Sequence, residues 1–491
     1  MFQYFLFKIL EVSFLCIKNV ELKNSLVVDL IRTFSVKEQK EATLWLQSPY
    51  FNQRTDLREL FKILVKVASA ESKKGLDKPS IWRKLYGDNE PYEDQRLRLL
   101  FSYLLRILEQ FIEQKEWQEQ QEWSTYLLLA YRKRGLHKHF QRTYRRFMKE
   151  QHKQPLRHPE YHWRNYAFAQ EQYQLQSAQS RTSAQNLQEL EDELTTAMLS
   201  MKLRQACNTL AHQAVYKTNY QIALPEDFLA LSQQPPFSDC IAVKVYYLGY
   251  QMLCHPEEEK HFSAFKQAIA QSIDQFPIPD LRDLFLFAIN YCIRKINEEK
   301  MTYLREALDL YQRGITNGVL LYNGRMSHFT YHNAVGIALR LEEHEWTAHF
   351  LDTYRPLLSD KHRDTAYHHN FARLAYAKKQ YGLALQHLQQ ADYKDLIHSM
   401  VAKTLQLKIY FELQEFGLLD AHLKSVGTFL GRKEKMSYHQ HNYYNIVRMT
   451  KALLALPPND RKAVEQLRKR MQKTEPLTER DWLLIKLNEI C

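Results

Sequence analysis

The amino-acid sequence predicts an all-α protein built of stacked helical hairpins behind an N-terminal helical domain. Glycine is scarce, with only 12 residues in a chain of 491, where average usage of about 7% would give roughly three times as many. A β-barrel or an open α/β sheet needs more glycine turns than this. Apolar residues also recur at helical spacing, as at Leu57, Leu60, Phe61 and Leu64, which places them on one face of a helix.

Three consecutive hairpins between residues 331 and 430 indicate an internal repeat. The aromatic residues that follow the turn between the two helices of each hairpin, Trp346, Tyr381 and Phe416, are 35 residues apart. A charged or polar turn precedes each aromatic residue, and an apolar helix follows it. Because one hairpin cannot bury its apolar face alone, successive hairpins are expected to stack and to leave a groove lined by their first helices.

This repeat resembles the tetratricopeptide repeat, whose unit is 34 residues long. Ala372, Ala384 and Ala391 stand where that family has small residues, and Tyr381 stands at one of its large apolar positions. The first helix of this unit departs from the family pattern at His368. The resemblance implies a right-handed α-solenoid, TPR-like in its stacking, whose groove accepts a peptide.

The chain also resembles a family of helical-repeat proteins from Bacteroidota that has no assigned activity. The resemblance lies in the segments SPYFN, LFAINYCIRKIN, EWTAHFLDTY and NYYNIVRM. It implies the architecture and a bacterial cytoplasm, and it implies no chemistry.

Composition and turn signals divide the chain into five predicted segments. Ser35 and Glu38 form a predicted capping box at the start of a helix in the second segment. The prolines and small polar residues of 224–239 give the clearest boundary. The segments are an apolar leader at 1–24, an N-terminal helical domain at 25–118, a basic hairpin with a polar helical spacer at 119–223, a TPR-like repeat array at 238–455, and C-terminal capping helices at 456–491.

The leader does not read as a signal peptide. No positive charge precedes Lys8, and Lys8, Glu11 and Lys18 interrupt every candidate apolar core. The leader is either an irregular capping helix or a stretch outside the native protein. Since no run approaches the roughly 18 apolar residues of a membrane span, we expect a cytoplasmic protein.

The sequence offers no motif for catalysis or for a cofactor. Neither a glycine-rich phosphate loop nor a G-x-S-x-G elbow occurs. Two pairs of histidines four residues apart, His158 with His162 and His328 with His332, both lack the glutamate of H-E-x-x-H, and Pro159 argues against a helix through the first pair. The six cysteines form no C-x-x-C pair and are predicted to be reduced core thiols. We therefore expect a non-enzymatic protein without metal or cofactor.

Positive charge is concentrated between residues 130 and 165. That stretch holds eleven lysines and arginines and two acidic residues, in a chain whose formal charge is +12. Such a helix face attracts phosphate backbones without reading sequence, docks onto an acidic protein, or is simply solvated. The candidate patch comprises Arg132, Lys133, Arg134, Lys138, Arg142, Arg145, Arg146, Lys149 and Lys153.

The sequence thus predicts a scaffold or adaptor that binds a protein or peptide partner in the groove of residues 238–455. Polar and aromatic side chains on the first helices suit such contacts, and the predicted groove residues are Tyr331, His332, His368, His369 and Tyr410. The alternative is a nucleic-acid-binding regulatory protein that uses the basic helix at 132–153. Pentatricopeptide repeats, which read single-stranded RNA, share the 35-residue period, but the basic patch lies outside the regular hairpins.

Overall fold

The fold was analysed in a computed structural model, and it is all-helical, as predicted. The described part of the chain forms 23 α-helices and one two-residue β-hairpin. No helix among the residues that the structure describes is long and apolar enough to cross a membrane. The predicted leader at 1–24 lies outside the described residues. The structure describes residues 25–69, 77–119, 123–180, 182–216, 218–391, 393, 396–431, 438–457 and 460–490.

The chain forms two compact units. The first contains the described residues up to Gln151 together with Ala167–Gln185, and the second contains His152–Tyr166 together with the described residues from Asn186 onward. Residues of the predicted segment 119–223 occur in both units.

The first unit contains a core of short helices around one long helix. Ser35 opens a helix with the predicted capping box, since its side chain accepts from the amide of Glu38 and the Glu38 carboxylate accepts from the amide of Ser35. Trp82 and Leu60 are fully buried in this core. The helices that begin in this unit are α1 (Leu26–Arg32), α2 (Val36–Gln47), α3 (Thr55–Ser69), α4 (Lys78–Tyr86), α5 (Asp94–Glu119), α6 (Trp123–Lys133) and α7 (His137–Lys153).

The next two helices explain how residues 119–223 are divided. Helix α8 (Pro159–Gln179) buries Phe168 with Phe140 of α7 in a small apolar cluster of the first unit. Helix α9 (Leu187–Tyr216) buries Leu199 in the main core of the second unit. Apolar side chains of this glutamine-rich stretch are thus buried in two different cores, one in each unit.

The second unit continues as a series of helix pairs. Each helix from α11 to α20 packs on a sequence neighbour, and α17 also packs on α15 and on α19, the first helices of the adjacent pairs. The elements are α10 (Glu226–Leu231), α11 (Ile241–Cys254), α12 (Glu259–Gln271), α13 (Ile278–Asn297), α14 (Tyr303–Thr316), β1 (Leu321–Tyr322), β2 (Arg325–Met326), α15 (His328–Arg340), α16 (His344–Tyr354), α17 (Asp360–Ala377), α18 (Tyr381–Gln390), α19 (Leu396–Glu412), α20 (Phe416–Gly431), α21 (Tyr438–Leu454), α22 (Arg461–Lys473) and α23 (Arg480–Ile490).

The same turn ends α15, α17 and α19. In each turn a non-glycine residue adopts the left-handed conformation, namely Glu342, Lys379 and Gln414. The next amide then donates to the carbonyl five residues earlier, for example from Gln380 to Ala375, as in a Schellman motif. Measured between these turns, the period is 37 residues and then 35. Aligning the chain on its aromatic residues conceals this two-residue difference.

Small side chains lie where the helices of the central pair approach each other. Ala372 and Ala384 are fully buried, and they share an apolar cluster with Ala375 and Ala402. Because alanine adds little volume, the helix backbones can come close without leaving a void. Leu388 is also buried in this cluster.

Candidate partner-binding groove and basic helix face

A cavity of about 1160 Å³ opens along one face of the second unit. Its floor consists of first helices of successive pairs, α15, α17, α19 and α21, and the end of α13 contributes one edge. Residues 475–482, which lead into α23, form the opposite wall. The lining includes four basic and four acidic residues, so its formal charge is balanced and the placement of individual charges matters.

Arg373 of α17 lies on the floor of this groove. Its Nη1 donates to the backbone carbonyl of His332 at 3.3 Å and to Oδ1 of Asn370 at 3.1 Å. Within the described residues its guanidinium forms no ion pair. Burial lowers the pKa of Arg373 below its usual value, and the charge of Glu479 in the wall partly opposes that shift. Since arginine remains protonated in proteins, the floor carries a partly uncompensated positive charge.

Gly336 allows the guanidinium of Arg373 to lie against α15. A Cβ atom built at Gly336 would be 2.8 Å from Nη2 of Arg373, which is too close for any other residue without a shift of the arginine. Gly336, Arg373 and Lys408 each stand six residues before the left-handed residue of their turns. The same repeat position therefore holds glycine in the first hairpin, arginine in the second and lysine in the third.

The other polar groups of the lining differ in whether they already have partners. Nζ of Lys408 is 2.7 Å from a carboxylate oxygen of Glu479, and this ion pair neutralises it. Arg340 is exposed, and Nη2 of its guanidinium contacts the sulfur of Met301 at 3.1 Å. Oδ1 of Asn442 is buried, and no residue in the described part of the chain donates a hydrogen bond to it. The lining thus contains the guanidinium groups of Arg340 and Arg373, which form no ion pair within the described residues, and the buried acceptor of Asn442. Its third guanidinium, that of Arg480, lies 3.7 Å from a carboxylate oxygen of Glu475.

Two of the five predicted groove residues lie on α15, and neither has its side chain in the lining. Tyr331 is fully buried, and its hydroxyl donates to the carbonyl of Leu351 at 2.7 Å. It is a core residue and is closed to a partner. The ring of His332 contacts Asn370 of α17 at 2.8 Å, so it lies between two first helices.

The remaining three predicted groove residues point in different directions. His369 lines the cavity. His368 contacts His387 of α18 at 2.9 Å, and the ring of Tyr410 lies edge-on to His422 of α20, with centroids 5.6 Å apart. These contacts show that His368 and Tyr410 face the second helices of their pairs. His369 points elsewhere because each residue advances about 100° around a helix.

Sequence reasoning missed the residues that give the groove its chemistry. Arg373 and Lys408 are 35 residues apart, and this shared repeat position was the available signal. Asn442 carried no such signal, because it follows the three regular hairpins.

The predicted basic patch is a solvent-facing surface of α6, the following turn and α7. Arg132 is the exception, since its Nε is 2.8 Å from a carboxylate oxygen of Glu171. Phe140 and Phe147 are buried on the opposite face of α7. Over the described ranges, the other eight predicted residues are exposed and form no ion pair, and they are Lys133, Arg134, Lys138, Arg142, Arg145, Arg146, Lys149 and Lys153.

No protein-family model matches the sequence, and no curated protein or solved structure matches it either. The resemblances to tetratricopeptide repeats and to a Bacteroidota family stay predictions. Function is therefore inferred from the groove and from the basic helix face themselves.

Proposed function

We propose that the protein is a non-enzymatic scaffold or adaptor that binds an acidic peptide segment of a partner protein in the groove. In this proposal the hairpins of the second unit stack as a right-handed, TPR-like α-solenoid, and their first helices supply the binding surface. The packing of α17 on both α15 and α19 supports this arrangement, as does the recurrence of one turn geometry after α15, α17 and α19.

The observation that carries the proposal is the guanidinium of Arg373, which lies in the groove and is paired with no carboxylate of the described residues. A partly buried charge is costly unless it is paired. Arginine binds carboxylates through two parallel hydrogen bonds, which are stronger than hydrogen bonds between neutral groups. Nη1 of Arg373 is held by the carbonyl of His332 and by Asn370, so the guanidinium is oriented before a ligand arrives.

Two further groups favour a peptide over a simple anion. Oδ1 of Asn442 is a buried acceptor without a donor, and a peptide N–H group would supply one. Arg340, at the end of α15, gives a second site for a carboxylate at the edge of the cavity. An extended peptide with an aspartate, a glutamate or a free C-terminus would satisfy both kinds of group at once.

The proposal is tested by selecting a library of random linear peptides on the full-length protein. Selected peptides are expected to be enriched in acidic residues and to bind Arg373→Met about 30-fold more weakly, or weaker still, because loss of one partner of a buried charge pair costs about 2–5 kcal/mol. Arg313→Met is the matched control, since Arg313 is an exposed arginine on the second helix α14. It should bind as the wild type does.

Equal affinity of these peptides for the wild type and for Arg373→Met would contradict the proposal. So would selection of peptides with no acidic residue and no free carboxylate. Circular dichroism and thermal unfolding of both variants establish that each remains folded.

A second candidate function, nucleic-acid binding, is favoured by the eight exposed and unpaired basic side chains of α6, α7 and the turn between them. Solvated lysines and arginines release counterions when they neutralise phosphates, so the binding constant falls steeply with salt. The triple variant Arg142→Glu, Arg145→Glu, Arg146→Glu is expected to lose at least tenfold in affinity for duplex DNA and for RNA, and to show a shallower salt dependence.

Fluorescence anisotropy with labelled oligonucleotides at several salt concentrations measures this effect. The control is a triple substitution of similar charge change away from α7, Arg461→Glu, Lys462→Glu and Lys469→Glu, on the exposed surface of α22. If the α7 variant binds nucleic acid as tightly as the wild type does, this second function is excluded.

A further inference from the structure

Three reactive side chains form a continuous hydrogen-bonded chain in the second unit, away from the groove. Sγ of Cys240 is 3.2 Å from Nε2 of His162, and Nδ1 of the same imidazole is 3.1 Å from Oε2 of Glu193. The other carboxylate oxygen of Glu193 accepts from Nδ2 of Asn165 at 3.0 Å. The order thiol, imidazole and carboxylate is that of an activated nucleophile, its base and the group that orients the base.

Local sequence places each group where it can take part. Cys240 is the residue immediately before α11, so the amides of Ala242 and Val243 in the first turn of that helix lie close to its side chain. His162 lies in the first turn of α8, which begins at Pro159. Glu193 lies in α9, so the chain of hydrogen bonds links residues of α8 and α9 to the start of α11. The side chain of Cys240 is partly exposed to solvent, which leaves room for a small reactant.

The electrostatics of the pair favour a thiolate beside an imidazolium. Burial raises the pKa of the Cys240 thiol, but the hydrogen bond and charge of His162 and the amides of Ala242 and Val243 outweigh it, so the pKa is lowered. Burial also lowers the pKa of His162, yet the hydrogen bonds and charges of Cys240 and Glu193 reverse that effect and raise it to about 9.

Two ionisable neighbours of His162 in the sequence, His158 and Glu160, are neutral and already paired, respectively. Burial lowers the pKa of His158 to about 4, so this neighbour is neutral. Glu160 points to Arg204, with which it forms an ion pair. The other charged residues within four positions of the three groups along the chain are Arg164 of α8, Glu189, Glu191 and Asp192 of α9, Asp239 before Cys240, and Lys244 of α11.

We propose that Cys240 is a nucleophilic site that reacts with hydroperoxides to give a sulfenic acid, with His162 as the proton donor and Glu193 as its positioning residue. The thiolate attacks one peroxide oxygen and the O–O bond breaks. The leaving hydroxide or alkoxide takes the proton of the imidazolium and departs as water or alcohol. Sulfur is oxidised by two electrons and the peroxide is reduced by two, and the imidazole is left neutral.

The geometry argues against a metal centre built from the same residues. His162 uses both ring nitrogens, one toward the sulfur and one toward the carboxylate, so it cannot bring all three ligands to one ion. Reaction with a small oxidant requires neither an extended pocket nor the displacement of a side chain. It requires a thiolate and a group that donates a proton to the leaving oxygen. The site supplies both.

The other described cysteines provide controls within the same molecule. Cys254 ends the helix that Cys240 precedes, and it is also partly exposed. Burial raises the pKa of its thiol. Cys207 and Cys292 are buried, and burial raises the pKa of each. The Cys240 thiol is more enclosed than that of Cys254, so faster reaction at Cys240 reports the histidine and the helix start and not greater access to solvent.

The first test uses the wild-type, full-length chain. Alkylation by iodoacetamide is followed at each cysteine by mass spectrometry across pH 5–10. We expect Cys240 to react at pH 7 about tenfold faster than Cys254, or faster still, because thiolate fraction rises more than intrinsic nucleophilicity falls as a thiol pKa is lowered. The rate at Cys240 should level off at a lower pH. Equal rates and equal pH midpoints would overturn the proposal.

The second test applies hydrogen peroxide and then dimedone, which labels sulfenic acids. Label is expected at Cys240 in preference to Cys254, and His162→Gln should reduce both the label and the alkylation rate at pH 7. Glu193→Gln keeps the hydrogen-bonding shape and removes the charge, so it should shift the pH midpoint of alkylation upward. Fast alkylation without dimedone label would overturn the peroxide reaction, and unchanged pH profiles in both variants would overturn the roles of His162 and Glu193.

Discussion

Replacing Arg204 by methionine is expected to lower the free energy of unfolding of the second unit by about 3 kcal/mol. Nη1 of Arg204 is 3.2 Å from Oδ2 of Asp280 and 3.1 Å from Oε2 of Glu160. The hydroxyl of Tyr246, which is fully buried, also donates to Asp280. Removing the guanidinium leaves two carboxylates close together, and the Asp280 side chain is only 16% exposed. Because Glu160 is 41% exposed, water relieves part of the penalty, which places the estimate at the low end for a buried pair.

The loss should shrink as the pH falls. Burial already raises the pKa of Asp280 above its usual value, and Arg204 opposes that rise. Without Arg204 the folded-state pKa of Asp280 rises further, so the folded variant takes up a proton at a higher pH than the unfolded chain does. Such a group destabilises the fold above its folded-state pKa and ceases to do so below its unfolded value. The difference between variant and wild type is therefore expected to be larger at pH 7 than at pH 4.

Urea unfolding at the two pH values, followed by circular dichroism, measures the effect. Arg294→Met is the control, because the ion pair of Arg294 with Glu298 is exposed on both sides and such pairs contribute about 0–1 kcal/mol. A loss for Arg204→Met no larger than the loss for Arg294→Met would show that the cluster contributes little to stability.

Local physics explains which parts of the fold were predictable. Scarce glycine, abundant helix-forming residues and a capping box act through neighbours along the chain, so the sequence alone indicates an all-helical protein. The left-handed turn residues Glu342, Lys379 and Gln414 carry no such signal, since glycine is the usual residue there. The sequence therefore aligned the repeat on its aromatic residues. That alignment is two residues out of register, because Trp346 lies two residues deeper in its helix than Tyr381.

Sites made by contacts between helices were less predictable, because adjacent residues of one helix point in very different directions. His368 and His369 are adjacent in sequence, yet one faces α18 and the other lines the groove. His162 drew attention through its spacing to His158, but its partners are Glu193 and Cys240, which are 31 and 78 residues away in the chain. The prediction that all six cysteines are plain core thiols missed that contact for the same reason.

Replacing Trp482 by alanine is expected to destabilise the docking of α23 by about 3–5 kcal/mol, the usual cost of truncating a buried tryptophan. The ring of Trp482 lies edge-on to Phe411, with centroids 5.3 Å apart, and its Nε1 donates to Glu412 at 2.9 Å. The same carboxylate accepts from Lys486 of α23 at 2.8 Å. Loss of the ring removes apolar contact and one of the hydrogen bonds that hold α23 on α19.

Hydrogen exchange measures this effect directly. Amides of residues 480–490 should lose about two orders of magnitude of protection or more, since each 1.4 kcal/mol corresponds to a factor of ten. Ile485→Ala is the matched control, because Ile485 lies on the same helix and is 55% exposed. It should leave protection nearly unchanged. Equal protection in Trp482→Ala and Ile485→Ala would show that α23 is held by its other buried contacts.

The same substitution tests whether α23 supports the groove. Residues 475–482 form one wall of the cavity, and Glu479 of that wall holds Lys408 at 2.7 Å. If α23 loosens, the wall loses its position and the peptide loses the contacts that the wall provides, so acidic peptides selected on the wild type should bind more weakly even though Arg373 is intact. Tighter binding in Trp482→Ala would instead mean that the C-terminal segment competes with the peptide for the groove, because release of a competing segment raises apparent affinity by mass action.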